Sequence, residues 1–198
     1  MDRCGEMCFA RVMKRVHYGY WVALAVTVAM AAVLLWWGRE PICKCGYVKF
    51  WHGAVVSSEN SQHITDWYTP SHIIHGLLFY GLLWLVAWKL PLGWRFAIAT
   101  AIEAGWELLE NTDKVIEHYR SVTISLDYYG DSVLNSVSDI AAMWLGFLLA
   151  RKLPVWASVL LALAFEAFTT WMIRDGLALN VLMLLYPFEA VKAWQGAG

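Results

Sequence analysis

Two histidines and two stripes of acids have the types and spacing for chemistry. Ser71-His72-Ile73-Ile74-His75 puts two imidazoles at i, i+3, on one helical face, where they can share a metal ion or relay a proton. Glu103, Glu107 and Glu110 fall at i, i+4, i+7, and Asp131, Asn135 and Asp139 at i, i+4, i+8, so each set also shares a helical face. Imidazole and carboxylate together suit zinc, iron or manganese. Helices that turn Glu and His inward are a known way to build such a centre. Without a metal, crowded carboxylates share a proton instead.

The elements that must position these residues are greasy. The 198-residue chain is 60% hydrophobic and 16% charged, with a mean hydropathy of +0.49, where soluble domains run at roughly 45–50% apolar and about 25% charged. Many of its 13 tryptophans lie at the ends of apolar runs, as interfacial belts do. A net charge of −1 gives no electrostatic footprint for nucleic acid, so no nucleic-acid partner is expected. The expected fold is all-α: one domain, 1–198, forming a polytopic transmembrane helix bundle of five or six spans in the lipid bilayer.

The spans are expected near 20–37, 73–90, 94–109, 133–150 and 155–171. Segment 177–186 is either a short sixth span or a piece lying in the interface. The first run follows Arg3, Arg11, Lys14 and Arg15 and continues through Ala29-Met30-Ala31, so it reads as an uncleaved signal-anchor. Lys89, Arg95, Arg151 and Lys152 crowd two short turns, which favours a cytoplasmic N-terminus and long outer loops at 38–72 and 110–132. A sixth span would return Lys192 to the cytoplasm. Segments 86–91 and 149–154 also align at an offset of 63, placing Glu103 opposite Glu166 in a weak internal repeat.

On this topology the polar residues converge at the outer face. His72, His75, Glu107, Glu110, Asp127, Asp131 and Asp139 are the candidate ligands of a divalent metal. His75, Glu107 and Asp131 are the candidate catalytic groups, with Arg120 as an anion clamp and Asn135 as a further substrate contact. The alternative is that these groups are interhelical hydrogen-bond glue, worth typically about 0.6 kcal/mol each. Glu103 and Glu166, deeper in their spans, resist that explanation and raise a third reading, a proton or ion path. Cys43 and Cys45, with His52 and His63 nearby, can pair, ligate a soft metal, or simply be small loop residues. No phosphate-cradling glycine loop, nucleophile elbow, heptad run or zincin helix is present.

Several stretches carry a resemblance. Cys43-Lys44-Cys45-Gly46, Trp51-His52-Gly53, Ser58-Glu59-Asn60-Ser61-Gln62-His63, Asp66-Trp67-Tyr68-Thr69-Pro70-Ser71-His72-Ile73-Ile74-His75-Gly76 and Ser125-Leu126-Asp127-Tyr128-Tyr129-Gly130-Asp131-Ser132 look like an uncharacterised family of bacterial multi-pass inner-membrane proteins with a domain of unknown function. That resemblance implies location in the inner membrane and no particular activity. The chain is more distantly similar to VanZ-like membrane proteins, associated with resistance to lipid-bearing glycopeptides. Their pattern is a histidine in one span, Glu-x-x-Gln closing another, then Arg and Asp-x-x-x-Asn before a glycine. His75, Glu107, Glu110, Arg120, Asp131, Asn135 and Gly146 take the comparable places, although Glu110 stands where glutamine is usual. The resemblance implies a role on an envelope lipid. Two readings of function follow: a membrane-embedded, metal-assisted enzyme acting on an envelope lipid or lipid-linked substrate, or a non-catalytic subunit or lipid-binding protein whose polar cluster is structural.

Overall fold

The computed structural model describes residues 3–123 and 127–196, with side chains from residue 18 onward. The described residues form eight α-helices: α1 (Arg3–Trp36), α2 (Thr69–Val86), α3 (Leu92–Glu110), α4 (Asp113–Val122), α5 (Val133–Lys152), α6 (Val155–Ile173), α7 (Leu177–Leu185) and α8 (Glu189–Gly196). No strand occurs among them, only an isolated bridge between Trp51 and Thr65. Prolines mark the boundaries. Pro70 opens α2, where its missing N–H is harmless, while Pro91 and Pro154 push the residues before them out of helical geometry and separate α2 from α3 and α5 from α6.

Four helices are long and apolar enough to cross a membrane: Tyr18–Trp36 of α1, and α2, α5 and α6. The fifth long helix, α3, has 19 residues but carries Arg95, Glu103, Glu107 and Glu110. It buries Glu103, Glu107 and a strip of small residues against its neighbours. α1 and α3 run parallel, with Gly19 against Gly93 at one end and Met30 and Leu34 packed with Ala104 at the other. α2 and α5 are the most closely packed pair. Each uses a glycine at the contact: a Cβ on Gly76 would strike the Met143 carbonyl, and one on Gly146 the Ile73 carbonyl. Membrane helices associate through such backbone approach, because lipid tails give them no hydrophobic reason to pair. A core of Ala23, Phe96, Ala97, Met143 and Phe147 joins the two pairs. α6 leans on α2 from outside and buries only Thr169, which leaves an apolar surface suited to lipid.

α7 has nine residues, about 14 Å of helix, against an apolar bilayer core of roughly 30 Å. It is too short to cross. It docks on α4, where His118 Nε2 contacts the Leu184 carbonyl at 2.9 Å and Asn180 donates to the Tyr119 hydroxyl. Lys192 of α8 likewise reaches the Ser121 carbonyl, so the end of the chain stays beside α4 instead of returning to the basic turns. Of the two expectations for 177–186, a sixth span is disfavoured by the nine-residue length of α7. Glu166 explains how α7 is held: its carboxylate accepts from the N–H groups of Leu177 and Ala178 at 3.0 and 2.8 Å, capping the start of α7. It lies off the cavity described below, and an ion path through Glu103 and Glu166 loses its second member.

The long loop before α2 is tied to the turn before α5. Val133 and Leu134 donate to the carbonyls of Glu40 and Pro41 at 2.8 and 3.2 Å, and Ser132 Oγ accepts from the Asn135 N–H at 3.1 Å. These contacts satisfy N–H groups that a helix start otherwise leaves open. Gln62 Nε2 donates to the Gly130 carbonyl at 2.7 Å, and Asn135 Nδ2 to the His63 carbonyl at 2.9 Å. The loop therefore closes over one end of the bundle.

Candidate functional site

Beneath that loop, α2, α3 and α5 point their polar faces at one another. Glu103 accepts from both histidines: His72 Nδ1 at 2.7 Å from Oε1, and His75 Nδ1 at 3.0 Å from each oxygen. The other nitrogen of His72 faces Asp139, with Nε2 3.8 Å from Oδ2. Glu107, one turn along α3, lies 3.7 Å from His72 Nδ1. It is fully buried, and neither of its oxygens has a hydrogen-bond partner among the described residues. Asp139 Oδ1 and Ser136 Oγ are in the same position.

Toward the loops the cluster continues through Asp131. Its Oδ2 accepts from Asn111 Nδ2 at 2.8 Å, its Oδ1 from the Tyr128 hydroxyl at 3.1 Å, and its own N–H donates to Asn111 Oδ1 at 2.7 Å. Burial raises the Asp131 carboxyl above its ordinary range. Glu110 is hydrogen-bonded to Asp131, a carboxyl pair that must share a proton or a cation.

Within this cluster three sets each bring their ligand atoms within 4.8 Å of one another: His72, His75 and Glu103; His72, Glu107 and Asp139; and Glu107, Glu110 and Asp131. His72 and Glu107 each belong to two sets, so the sets form a continuous chain. With Nδ1 turned to Glu103, His72 keeps Nε2 for a ligand, the carboxylate–histidine–metal arrangement in which the outer carboxylate fixes the ring. His72, His75, Glu103, Glu110, Asp131 and Asp139 line a cavity of about 240 Å³, with Glu107 fully buried behind them. Its polar side includes Asp66, His72, Glu110, Asp131 and Asp139. Its apolar side includes Phe79, Ile102, Trp106 and Val181. Ile102 and Val181 are exposed on the outside of the bundle, so this wall faces the lipid side.

Of the sequence-derived candidates, His72, His75, Glu107, Glu110, Asp131 and Asp139 come together. His75 does so through Glu103, in a different set from Glu107 and Asp131. Two candidates do not join. Arg120 is exposed on α4 and Asp127 is exposed in the turn before Tyr128, and neither lines the cavity. The amphipathic α4 buries Ile116 and Val122, which turns Arg120 outward. Asn135 does line the cavity, but its amide is committed to the His63 carbonyl, which makes it a tie between loop and helix.

Sequence reasoning set Glu103 apart with Glu166 as a deeper acid, whereas the structure makes it the partner of both histidines. Its place on the Glu107 face was the available signal. Asn111 and Tyr128 were missed. Asp66, raised by burial, accepts from the N–H groups of Ser61 and Tyr68 at 3.2 and 2.8 Å.

A second cluster occupies the loop. Glu59 accepts from Lys49 at 2.6 Å and Tyr47 at 2.8 Å and lies 3.1 Å from His63 Nε2, partners that hold its carboxyl at about 2. Cys43 and Cys45 form a disulfide, so of their possible roles the structure shows pairing.

Asp175, between α6 and α7, is buried against the Tyr68 hydroxyl at 3.1 Å and the Gly176 N–H at 2.9 Å. Burial outweighs these bonds and pushes its carboxyl up to about 6 from 3.8. The folded chain thus holds this proton more tightly than the unfolded one. The contribution is complete in acid, and stability falls as pH rises through about 6. Asp175→Asn keeps an acceptor without the charge. It should stabilise the protein by about 1–3 kcal/mol above pH 7, with the gain vanishing toward about pH 4, in unfolding measured across that range.

A family described as "Protein of unknown function (DUF2585)" matches residues 34–197. The chain belongs to this family. A UPF0314 protein of Paracoccus denitrificans is 69% identical over 178 residues, covering 90% of this chain and 92% of the relative. UPF0314 proteins of Rhizobium etli (strain CIAT 652) and Novosphingobium aromaticivorans are 54% and 53% identical, covering 91% of this chain and 93% of each relative. No solved structure matches significantly. The match begins at residue 34, near the end of α1, and takes in every residue of the polar cluster.

Proposed function

We propose that this protein is a multi-pass inner-membrane enzyme that uses a divalent metal on an envelope lipid or lipid-linked substrate in the outer leaflet. The observation that carries the reading is Glu107, a fully buried carboxylate with both oxygens unpartnered, beside Asp139 Oδ1 in the same state. An uncompensated buried carboxylate is strongly disfavoured, and a cation held among His72, Glu107 and Asp139 offsets that penalty directly. Glu107, shared with Glu110 and Asp131, also offers an oxygen toward a second position. A metal there would supply Lewis acidity or a nucleophilic water. Glu103 would orient both imidazoles, and Asn111 and Tyr128 would hold Asp131.

Substrate class is read from the cavity walls. A carboxylate and imidazole floor meets an apolar wall at Phe79, Ile102 and Trp106, which suits a molecule with a polar head and a tail left in the bilayer. Orientation rests on Lys89 before α3, Arg95 in its first turn, and Arg151 and Lys152 in the last turn of α5, at the opposite end from the cavity. A second reading, a metal-free structural network, draws on Glu103, which His72 and His75 already satisfy. Elemental analysis of the purified full-length protein separates the two. About one or two metal ions per chain, lost in His72→Ala, is the expected result. A metal-free wild type that loses stability in His72→Ala would establish glue and overturn the enzyme.

A further inference from the structure

A larger cavity, of about 770 Å³, lies apart from the polar cluster, where the apolar run of α6 ends. Its walls combine Val55 and Val56 of the long loop, Trp171, Met172 and Arg174 from the end of α6, and Lys192 and Gln195 of α8. Trp171 is 78% exposed, so the wall continues onto the surface assigned to lipid.

Besides Thr123, three polar side chains line this space. Arg174 Nη1 donates to the Trp194 carbonyl at 2.9 Å, and its guanidinium lies over the Trp194 ring at 5.7 Å. Lys192 Nζ donates to the Ser121 carbonyl. Both cations are thus held by neutral groups, and neither belongs to an ion pair among the described residues. Gln195 is buried, and its Oε1 has no hydrogen-bond partner among the described residues. Two cations outside any ion pair among the described residues and one unmet acceptor, all lining one cavity, suit a ligand that carries both an anion and a donor.

We propose that this cavity binds the headgroup of a glycerophospholipid. The phosphate sits with Arg174 and Lys192, a headgroup hydroxyl or ammonium donates to Gln195 Oε1, and the chains lie along Trp171 and Met172. The match is to the depth of the site as well as its chemistry: a phosphate sits where an apolar helix gives way to charge, which is where α6 meets Arg174. The site is independent of the metal reading and stands or falls without it.

Native mass spectrometry of the full-length protein in neutral detergent, supplied in turn with phosphatidylglycerol, phosphatidylethanolamine, phosphatidylcholine and inorganic phosphate, tests it. Phosphatidylcholine carries the phosphate but no N–H or O–H donor, so it should bind more weakly than the first two. Removing each cation should weaken phosphatidylglycerol binding about fivefold, and Arg174→Ala with Lys192→Ala about 25-fold. Gln195→Leu should erase the preference for phosphatidylethanolamine over phosphatidylcholine. Lys192→Gln, a change on a short terminal helix, keeps the test open if the double variant does not fold, and should again lose about fivefold. Equal binding of all three lipids, unchanged binding in Lys192→Gln, or displacement of lipid by inorganic phosphate would each overturn the assignment.

Discussion

Glu107→Gln is expected to abolish stable metal retention while leaving the metal-free protein as stable as the wild type or more so. The substitution keeps the shape and removes the charge. Glu107 has no hydrogen-bond donor to lose, since both of its oxygens are unpartnered in a fully buried setting. In a purely structural network, neutralising it would therefore be harmless or beneficial, because an uncompensated carboxylate among Glu103, Asp131 and Asp139 is strain for the fold. With a metal present the sign reverses. Losing a ligand shared by two sets should weaken metal affinity by at least about 100-fold, because even outer-shell changes cost about 10–100-fold. A metal present at about 100 times its dissociation constant stabilises the folded state by about 2.7 kcal/mol, and that increment should vanish in the variant. Thermal unfolding of both proteins, with and without a chelator, reads both effects. The wild type should drop on chelation and the variant should not move. If chelation shifts neither protein, the metal is excluded.

How much of this was legible in the sequence depends on whether the signal was local. The histidine pair and the two acidic stripes are helical periodicities, and helices placed them where the spacing says. His72, Glu107 and Asp139 come from three different helices, and their convergence followed from topology alone. What periodicity could not supply was depth and partner choice. Glu103 was set apart because it lies a turn deeper than Glu107, yet α2 runs antiparallel to α3 and brings His75, one turn below His72, to its level. Arg120 was read as a clamp from its charge and place in order, but the pattern of Ile116 and Val122 on α4 decides which way it faces. Glu166 looked like the repeat partner of Glu103. Its role as the cap of α7 depends on the chain doubling back after Ile173, for which the sequence has no signature beyond Asp175-Gly176. Asn111 and Tyr128 are polar residues flanking a helix end, and only tertiary contact makes them the holders of Asp131.

The other large effect is expected far from any ligand. Gly146→Leu should destabilise the bundle and empty the site together. A side chain at Gly146 runs into the backbone of Ile73, and the reciprocal contact sets Gly76 against Met143. Neither obstacle is a flexible tip that can swing aside, so α2 and α5 must part. Overpacking of this kind typically costs about 1–3 kcal/mol, and in a membrane bundle the close approach is itself the driving interaction. The consequence reaches the site because His72 belongs to α2 and Asp139 to α5, with His72 Nε2 only 3.8 Å from the carboxylate. Moving the helices apart carries His72 away from Asp139 while Glu103 still holds its Nδ1, which leaves the ring between two helices that no longer agree on its position. Gly81→Leu and Gly105→Leu are the controls, since a Cβ at either meets nothing within 4 Å. Unfolding in a mixed detergent and metal content, measured on all three variants, should show both losses in Gly146→Leu alone. Stability lost with metal content unchanged would mean that α3, and not the α2–α5 contact, sets the geometry of the site.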